Sequence, residues 1–196
     1  MLGWYTEESH WETFTSTRST VASKESEIRK QEDALASLYE ESYGKVARYI
    51  FARIGNQQEA EDLASETFVR ALKSVDSYQE RGLPMEAWIF KIAHNLVVDY
   101  LRKVSKRQMV TLDKVSIPDS ANPEDTAESN IELERLSKAM EHLSPTRRRV
   151  IGLRFFAGLS AIEAGKILGK KPGAVRQLQR AAIRSLRTIL DTESQL

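Results

Sequence analysis

Arg176, Arg180 and Arg184 recur every four residues, with Gln177 and Gln179 between them and Lys171 just ahead. Arginine can grip the two acceptors of guanine, and glutamine the matched donor and acceptor of adenine. Carried outward on one helix, such a set suits the major groove of duplex DNA. Lys170, Arg187 and the run Arg147-Arg148-Arg149 add cations fit to hold phosphates. An ordinary antiparallel helix pair with solvated cations would show the same charges, so the turn between the helices must decide.

Two further constellations lie upstream. Lys91, Asn95, Asp99 and Arg102 follow spacings of four, four and three, with Lys103 adjoining and Tyr78 a little earlier. A polar ridge with cations and a ring could track a single nucleic-acid strand, its bases stacking on the aromatics. Trp88 and Tyr100 are assigned to the core. Glu59, Glu61, Asp62 and Glu66 share a helix face that ends in Arg70 and Lys73. Taken alone, that face is a solvated surface; as a set it could also dock a protein.

Catalytic constellations are missing from the pattern. His10, His94 and His142 stand far apart, and none belongs to a His-Glu-x-x-His pair. There is no Gly-rich phosphate loop and no Gly-x-Ser-x-Gly elbow. Adjacent carboxylates such as Glu40/Glu41 point in different directions on a helix. The absence of cysteine excludes a disulfide scaffold, a thiolate zinc site and a cysteine nucleophile. The expectation is no enzyme, no cofactor and no metal site.

The elements that must position these residues read as helices. Leu35, Leu38, Tyr39, Ser42, Val46, Tyr49, Ile50 and Ile54 keep three-four spacing, and Gly55 suits a stop. Asn56 with Glu59 forms a capping box for a helix burying Leu63, Phe68 or Thr67, Ala71 and Leu72. Residues 76–84 are a loop punctuated by Gly82 and Pro84. A long helix runs from about Met85 to Lys106. Beyond it, Pro118, Pro123 and many small polar residues mark a linker, too long for an idle connection inside one compact domain.

From Glu132 the helical period returns. Ser144-Pro145 is an N-cap followed by a first-turn proline, opening a helix that buries Val150, Leu153 and either Ile151 or Phe155. Gly158 breaks it. Ser160 and Glu163 form a capping box, followed by Ile162, Ala164, Ile167 and Leu168. Gly169-Lys170-Lys171 makes a tight turn, and Pro172 opens the last helix with Val175, Leu178, Ala181 or Ala182, and Leu186 on its apolar side. A capped helix, a short glycine turn and a longer basic helix make a helix-turn-helix.

No strand pattern appears beyond a weak one at Met109-Val-Thr-Leu112. The fold class is therefore all-α: two small helical domains on a flexible acidic linker, the C-terminal one a helix-turn-helix. The boundaries read as a disordered extension over 1–34, a first domain over 35–110, the linker over 111–131 and a second domain over 132–192. Trp4, Tyr5, Trp11 and Phe14 make the extension unusually aromatic for a solvating tail.

Composition agrees with two bodies of unlike charge. The 196 residues hold 29 basic and 28 acidic side chains, with 41% hydrophobic residues. The net charge of +1 divides into −3 over 1–35, +1 over 36–110, −6 over 111–134 and +9 over 135–196. That asymmetry suggests a polyanion partner for the C-terminal block. No apolar run reaches the roughly 18 residues of a membrane span, and the polar first residues are no signal peptide. A cytoplasmic location is expected.

Read in order, these stretches resemble a known family. Ala60-Glu-Asp-Leu-Ala-Ser-Glu-Thr-Phe-Val-Arg-Ala71, the run Ala87-Trp-Ile-Phe-Lys-Ile-Ala-His-Asn-Leu-Val-Val-Asp-Tyr-Leu-Arg-Lys103, and Leu143-Ser-Pro-Thr-Arg-Arg-Arg-Val-Ile151 with Gly158-Leu-Ser-x-x-Glu-Ala resemble the extracytoplasmic-function sigma factors of the sigma-70 family. The resemblance spans residues 35–190.

It implies a sigma factor that directs core RNA polymerase to promoters and promotes melting. Asp62, Glu66 and Arg70 would meet the β′ clamp helices, and the β flap would be a second polymerase contact. Tyr78, Lys91, Asn95, Asp99, Arg102 and Lys103 would lie beside the minus-ten element, with one base flipped into the 76–84 loop. Lys171, Arg176, Gln177, Gln179, Arg180 and Arg184 would read the minus-thirty-five element. The acidic linker would thread the polymerase, and an anti-sigma factor is a further implied partner. Ser65 stands where the family commonly has glutamine, and Arg176-Gln177-Leu178 where many relatives have Lys-Ser-Arg, so base preference does not transfer. On the residues alone, a helix-turn-helix regulator that ignores the polymerase remains the alternative.

Overall fold

The structure, a computed structural model, describes residues 9–79, 82–110 and 135–193, with side chains over 24–79, 82–107 and 135–191. Seven α-helices follow in chain order: α1 Ser9–Ile54, α2 Gln57–Ser74, α3 Met85–Val110, α4 over 135–141, α5 Pro145–Ile151, α6 Ala161–Leu168 and α7 Pro172–Glu193. A 3₁₀ turn, Val75–Ser77, follows α2, and a π-helical turn, Gly152–Phe156, continues α5. No strand occurs among the described residues.

The helix expected to begin at Leu35 begins at Ser9 and runs 46 residues. Residues 9–34 lack an amphipathic stripe, which is why periodicity passes over them. They also lack any glycine or proline, and from Ala22 they are rich in Glu, Lys, Arg and Gln, which favour helix without needing a core. A faint signal does exist: Phe14, Val21, Ile28 and Leu35 fall seven apart, in line with buried Ser42 and Tyr49. Residues 1–8, the rest of the expected extension, lie outside the described residues, as does the linker call over 111–131 together with 132–134.

α2 takes the N-cap half of the expected capping box, the Asn56 Oδ1 accepting from the Glu59 N–H at 3.0 Å, while the Glu59 carboxylate does not return the bond. Its inner face buries Ala60, Leu63, Ala64, Thr67, Phe68 and Ala71. Leu72, expected inside, is 56% exposed. Thr67 and Phe68, the two alternatives there, are both buried, the Thr67 hydroxyl donating to the Leu63 carbonyl. α1, α2 and α3 pack around Val46, Tyr49, Ile50, Phe68, Ile89, Phe90 and Val97.

In the C-terminal block, Pro145 opens α5 as expected, but the Ser144 hydroxyl makes no cap bond. Of the alternatives there, Ile151 is buried and Phe155 exposed. The π turn widens the helix by one residue, which swings Leu153 inward and Phe155 outward. Ser160 and Glu163 form the full reciprocal capping box. Gly169, at φ 62°, closes α6 in the left-handed conformation that permits so tight a turn into α7.

The two domains pack against each other. One hydrophobic cluster runs from Tyr49, Ile50 and Phe90 through Val150, Leu153 and Ala164 to Val175. A smaller one joins Ala52 of α1 to Met140, Ile151, Ala182 and Leu186.

Candidate nucleic-acid interface

The last helix has a clear division of faces. Val175, Ala182 and Leu186 are buried, while Lys171, Arg176, Gln177, Arg180 and Arg184 are exposed. Arg176, Gln177, Arg180 and Arg184 share the outer side at the spacing of a helix surface, and Lys171 stands in the turn just ahead of α7. Gln179 does not join them. It sits at the edge of the buried face, where its Oε1 accepts from the Arg154 Nε at 2.9 Å. Arg154 also donates to the Leu159 carbonyl, so the π turn and the start of the helix-turn-helix hold Gln179 between them. Between α6 and α7 the turn forms a shallow groove of about 420 Å³ lined by Lys166, Lys170 and Lys171. Arg147 bonds Ser185 on α7 through Nη1, so one member of the Arg147-Arg148-Arg149 run braces the recognition helix.

The ridge on α3 also stands on one side. Lys91, Asn95, Arg102 and Lys103 are exposed and Asp99 is half-buried, paired to Arg102 at 3.1 Å. Tyr78 lies in the preceding loop but is engaged. Its ring packs 5.0 Å from that of Trp88, and its hydroxyl donates to the Leu83 carbonyl. The loop carries its own aromatic brace, with Gln31 of α1 donating to the Tyr78 carbonyl.

Asp62, Glu66 and Arg70 line the outer side of α2, with Glu66 and Arg70 paired. Exposed at about half their surface, such a pair contributes about 0.5 kcal/mol. Beside it stand exposed apolar groups: Val69 at 49% exposure, which the periodicity does not single out, and Leu72 and Tyr39, which it places on the inner stripes, the Tyr39 ring lying edge-on to Phe68. A charged row bordered by uncovered apolar side chains is the usual make-up of a protein-docking surface.

Behind these faces lies a buried polar cluster that no sequence motif marks. The Tyr49 hydroxyl is 3.1 Å from the His94 Nδ1, and the Arg53 Nη1 donates to the same hydroxyl at 3.4 Å. Burial pushes His94 down to about 4, and the guanidiniums of Arg53 and Arg149 act in the same direction. Burial also holds Arg53 below the ordinary guanidinium range and raises Tyr49. No group of His, Asp and Glu among the described residues could hold a metal ion. No helix among them is long and apolar enough to cross a membrane.

A bundle of three helices joined to a capped helix-turn-helix with a cationic outer face defines a helical DNA-binding protein. Comparison with known proteins narrows the class. The family Sigma-70 region 2 matches residues 38–107, and Sigma-70, region 4 matches residues 139–188. The chain is 35% identical over 164 residues to the ECF RNA polymerase sigma factor BldN of Streptomyces coelicolor, a match covering 83% of this chain and 62% of that protein. It is 30% identical over 159 residues to the ECF RNA polymerase sigma factor SigL of Mycobacterium tuberculosis, covering 80% of this chain and 88% of the relative. The chain belongs to the extracytoplasmic-function sigma factors of the sigma-70 family.

Solved structures agree on the fold. CnrH, in complex with the cytosolic domain of CnrY, superposes with a TM-score of 0.65 at 22% identity, over 86% of this chain and 95% of that one. RpoE of Bartonella quintana, in complex with the anti-sigma factor NepR, gives 0.66 at 22% identity, over 80% and 96%. The match to the family Sigma-70 region 2 begins at residue 38, so the whole N-terminal half of α1 lies ahead of it.

Proposed function

We propose that this chain is a promoter-specificity subunit: it recruits core RNA polymerase, reads a minus-ten and a minus-thirty-five element, and assists melting. The observation that carries the reading is the outer face of α7, where Arg176, Gln177, Arg180 and Arg184 stand exposed, with Lys171 exposed in the turn ahead of it and the supporting helix α6 fixed by a reciprocal capping box. Arginine and glutamine there supply base contacts, and the neighbouring lysines supply phosphate contacts. Gln179 acts indirectly, through its bond to Arg154.

On α3, Lys91, Asn95, Asp99, Arg102 and Lys103 are assigned to the parted minus-ten strand, with Tyr78 bracing the loop that takes a flipped base. Asp62, Glu66 and Arg70, with Val69 and Leu72 beside them, are assigned to the β′ clamp helices. Exposed Phe155 and Ile162 on the second block offer apolar contacts to the β flap or to an anti-sigma factor. In this reading the chain supplies binding and no catalysis, works in the cytoplasm, and keeps the division into an extension (1–34), a first domain (35–110), an acidic connection (111–131) and a second domain (132–192).

The test is run-off transcription with purified core polymerase and a selected promoter pool. Enrichment of one bipartite promoter supports the proposal. Palindromic sites bound by a dimer, with no association with core enzyme, favour the plain regulator instead.

A further inference from the structure

Ile28, Gln31, Leu35 and Leu38 make one stripe on α1, at spacings of three, four and three. Leu35 is buried and the other three are half-buried, whereas residues 29, 30, 32–34, 36 and 37 are exposed. Packing alone would be served by an apolar residue at every position. A half-buried amide loses water and costs stability unless it finds a partner. Gln31 interrupts the stripe and has that partner: its Nε2 donates to the Tyr78 carbonyl at 3.3 Å, 47 residues along the chain.

Tyr78 is where the 76–84 loop is fixed. It leaves the 3₁₀ turn in extended backbone, φ −64° and ψ 129°, its N–H donating to the Val75 carbonyl at 3.0 Å. Its hydroxyl reaches across to the Leu83 carbonyl at 3.1 Å, and its ring lies 5.0 Å from that of Trp88. Those three holds come from the loop and the elements that flank it. Gln31 adds another from α1, at a position ahead of the match to Sigma-70 region 2, which begins at residue 38. Leu35, Val75, Leu83 and Trp88 belong to one hydrophobic cluster, so apolar packing seats this part of α1 against the loop.

We propose that Gln31 is a positioning residue for the minus-ten strand. By holding the Tyr78 carbonyl it fixes the loop in the shape that receives the flipped base. This inference rests on the promoter-specificity reading above and extends it to a part of α1 outside the family match. A base leaves its stack only when pocket contacts compensate. A loop that must first be ordered gives back part of that compensation, and Gln31 orders it beforehand.

A change in the protein paired with a change in the DNA tests this. Gln31→Met keeps the length and helix preference of the side chain and removes its donor. Gln31→Glu keeps the shape and sets a carboxylate against the carbonyl. Each full-length variant is combined with core polymerase and a promoter from the selected pool, opened in advance over the minus-ten element. An abasic nucleotide is then walked along the non-template strand. Wild type should lose about tenfold in affinity where the flipped base is removed. On the intact strand Gln31→Met should bind about fivefold more weakly, the effect of one lost hydrogen bond, and Gln31→Glu more weakly still. With the flipped base removed, wild type and variants should bind alike, because the ordered loop then has nothing to receive. At every other abasic position the fivefold gap should remain. Helicity and affinity for the duplex minus-thirty-five element should match wild type.

A gap that persists at every abasic position overturns the proposal, since Gln31 then only stabilises α1. Variants that bind the intact strand as wild type does overturn it too, as does a loss that extends to the duplex element. If wild type itself responds to no abasic position, the loop receives no flipped base; the minus-ten reading fails there, and the role of Gln31 with it.

Discussion

His94 is a buried base held neutral chiefly by loss of solvent, with the guanidiniums of Arg53 and Arg149 acting in the same direction. Its folded value of about 4 lies below the ordinary 6.5. Between those values the unfolded chain binds more protons than the native one, so stability rises with pH across that window and is lost as pH falls from about 6.5 towards 4. The slope from this one group is about 1 kcal/mol per pH unit. His94→Gln should flatten the urea-melt profile between pH 4 and 6.5 relative to wild type; an unchanged slope would mean that His94 is not held neutral. At the surface the argument is about selectivity. Arg176→Ala should lower discrimination at one base pair of the upstream element by about 1–3 kcal/mol. Competition gel shifts against single-base variants measure it, and an equal loss on every sequence would reassign Arg176 to a phosphate.

At the scale of elements, the helix-turn-helix depends on the start of α6. The Ser160 Oγ accepts from the Glu163 N–H at 3.2 Å, and Glu163 returns the bond at 2.7 Å. Ser160→Ala should cost about 1 kcal/mol, read as a lower denaturation midpoint. Gly169→Ala should cost about as much, because its φ of 62° suits no side chain. These devices were legible in the sequence because capping and left-handed turns are set by residues three or four apart. The exposed cations of α7 were legible for the same reason. Position relative to a distant element was not. Gln179 reads as outward until Arg154, 25 residues earlier, is folded against it. Leu72 and Ile162 read as core by hydropathy, yet both are 56–57% exposed because neighbours one or two positions away fill the inner face. The N-terminal half of α1 is helical by propensity rather than by pattern, and the Tyr49–Arg53–His94 cluster joins residues 45 apart.

For the molecule as a whole, charge distribution decides how it meets DNA. The block over 135–196 carries +9, and the stretch just ahead of it −6. Each phosphate neutralised by Lys or Arg releases counterions and steepens the fall of affinity with salt by about 0.9 in logarithmic terms. Lys170, Lys171, Arg176, Arg180, Arg184 and Arg187 stand exposed along the turn and outer face of α7. If about four of them meet phosphates and the others meet bases, the slope for duplex binding by the full chain is about −4. Arg187→Ala, at the far end of that face, should then weaken all sequences alike and reduce the slope by about 1, whereas Arg176→Ala should leave the slope nearly intact and change the preferred base. Gel shifts at several salt concentrations separate the two effects. A flat salt response would remove duplex DNA from the partners of this face, since a +9 block that releases no counterions is not lying on a phosphate backbone.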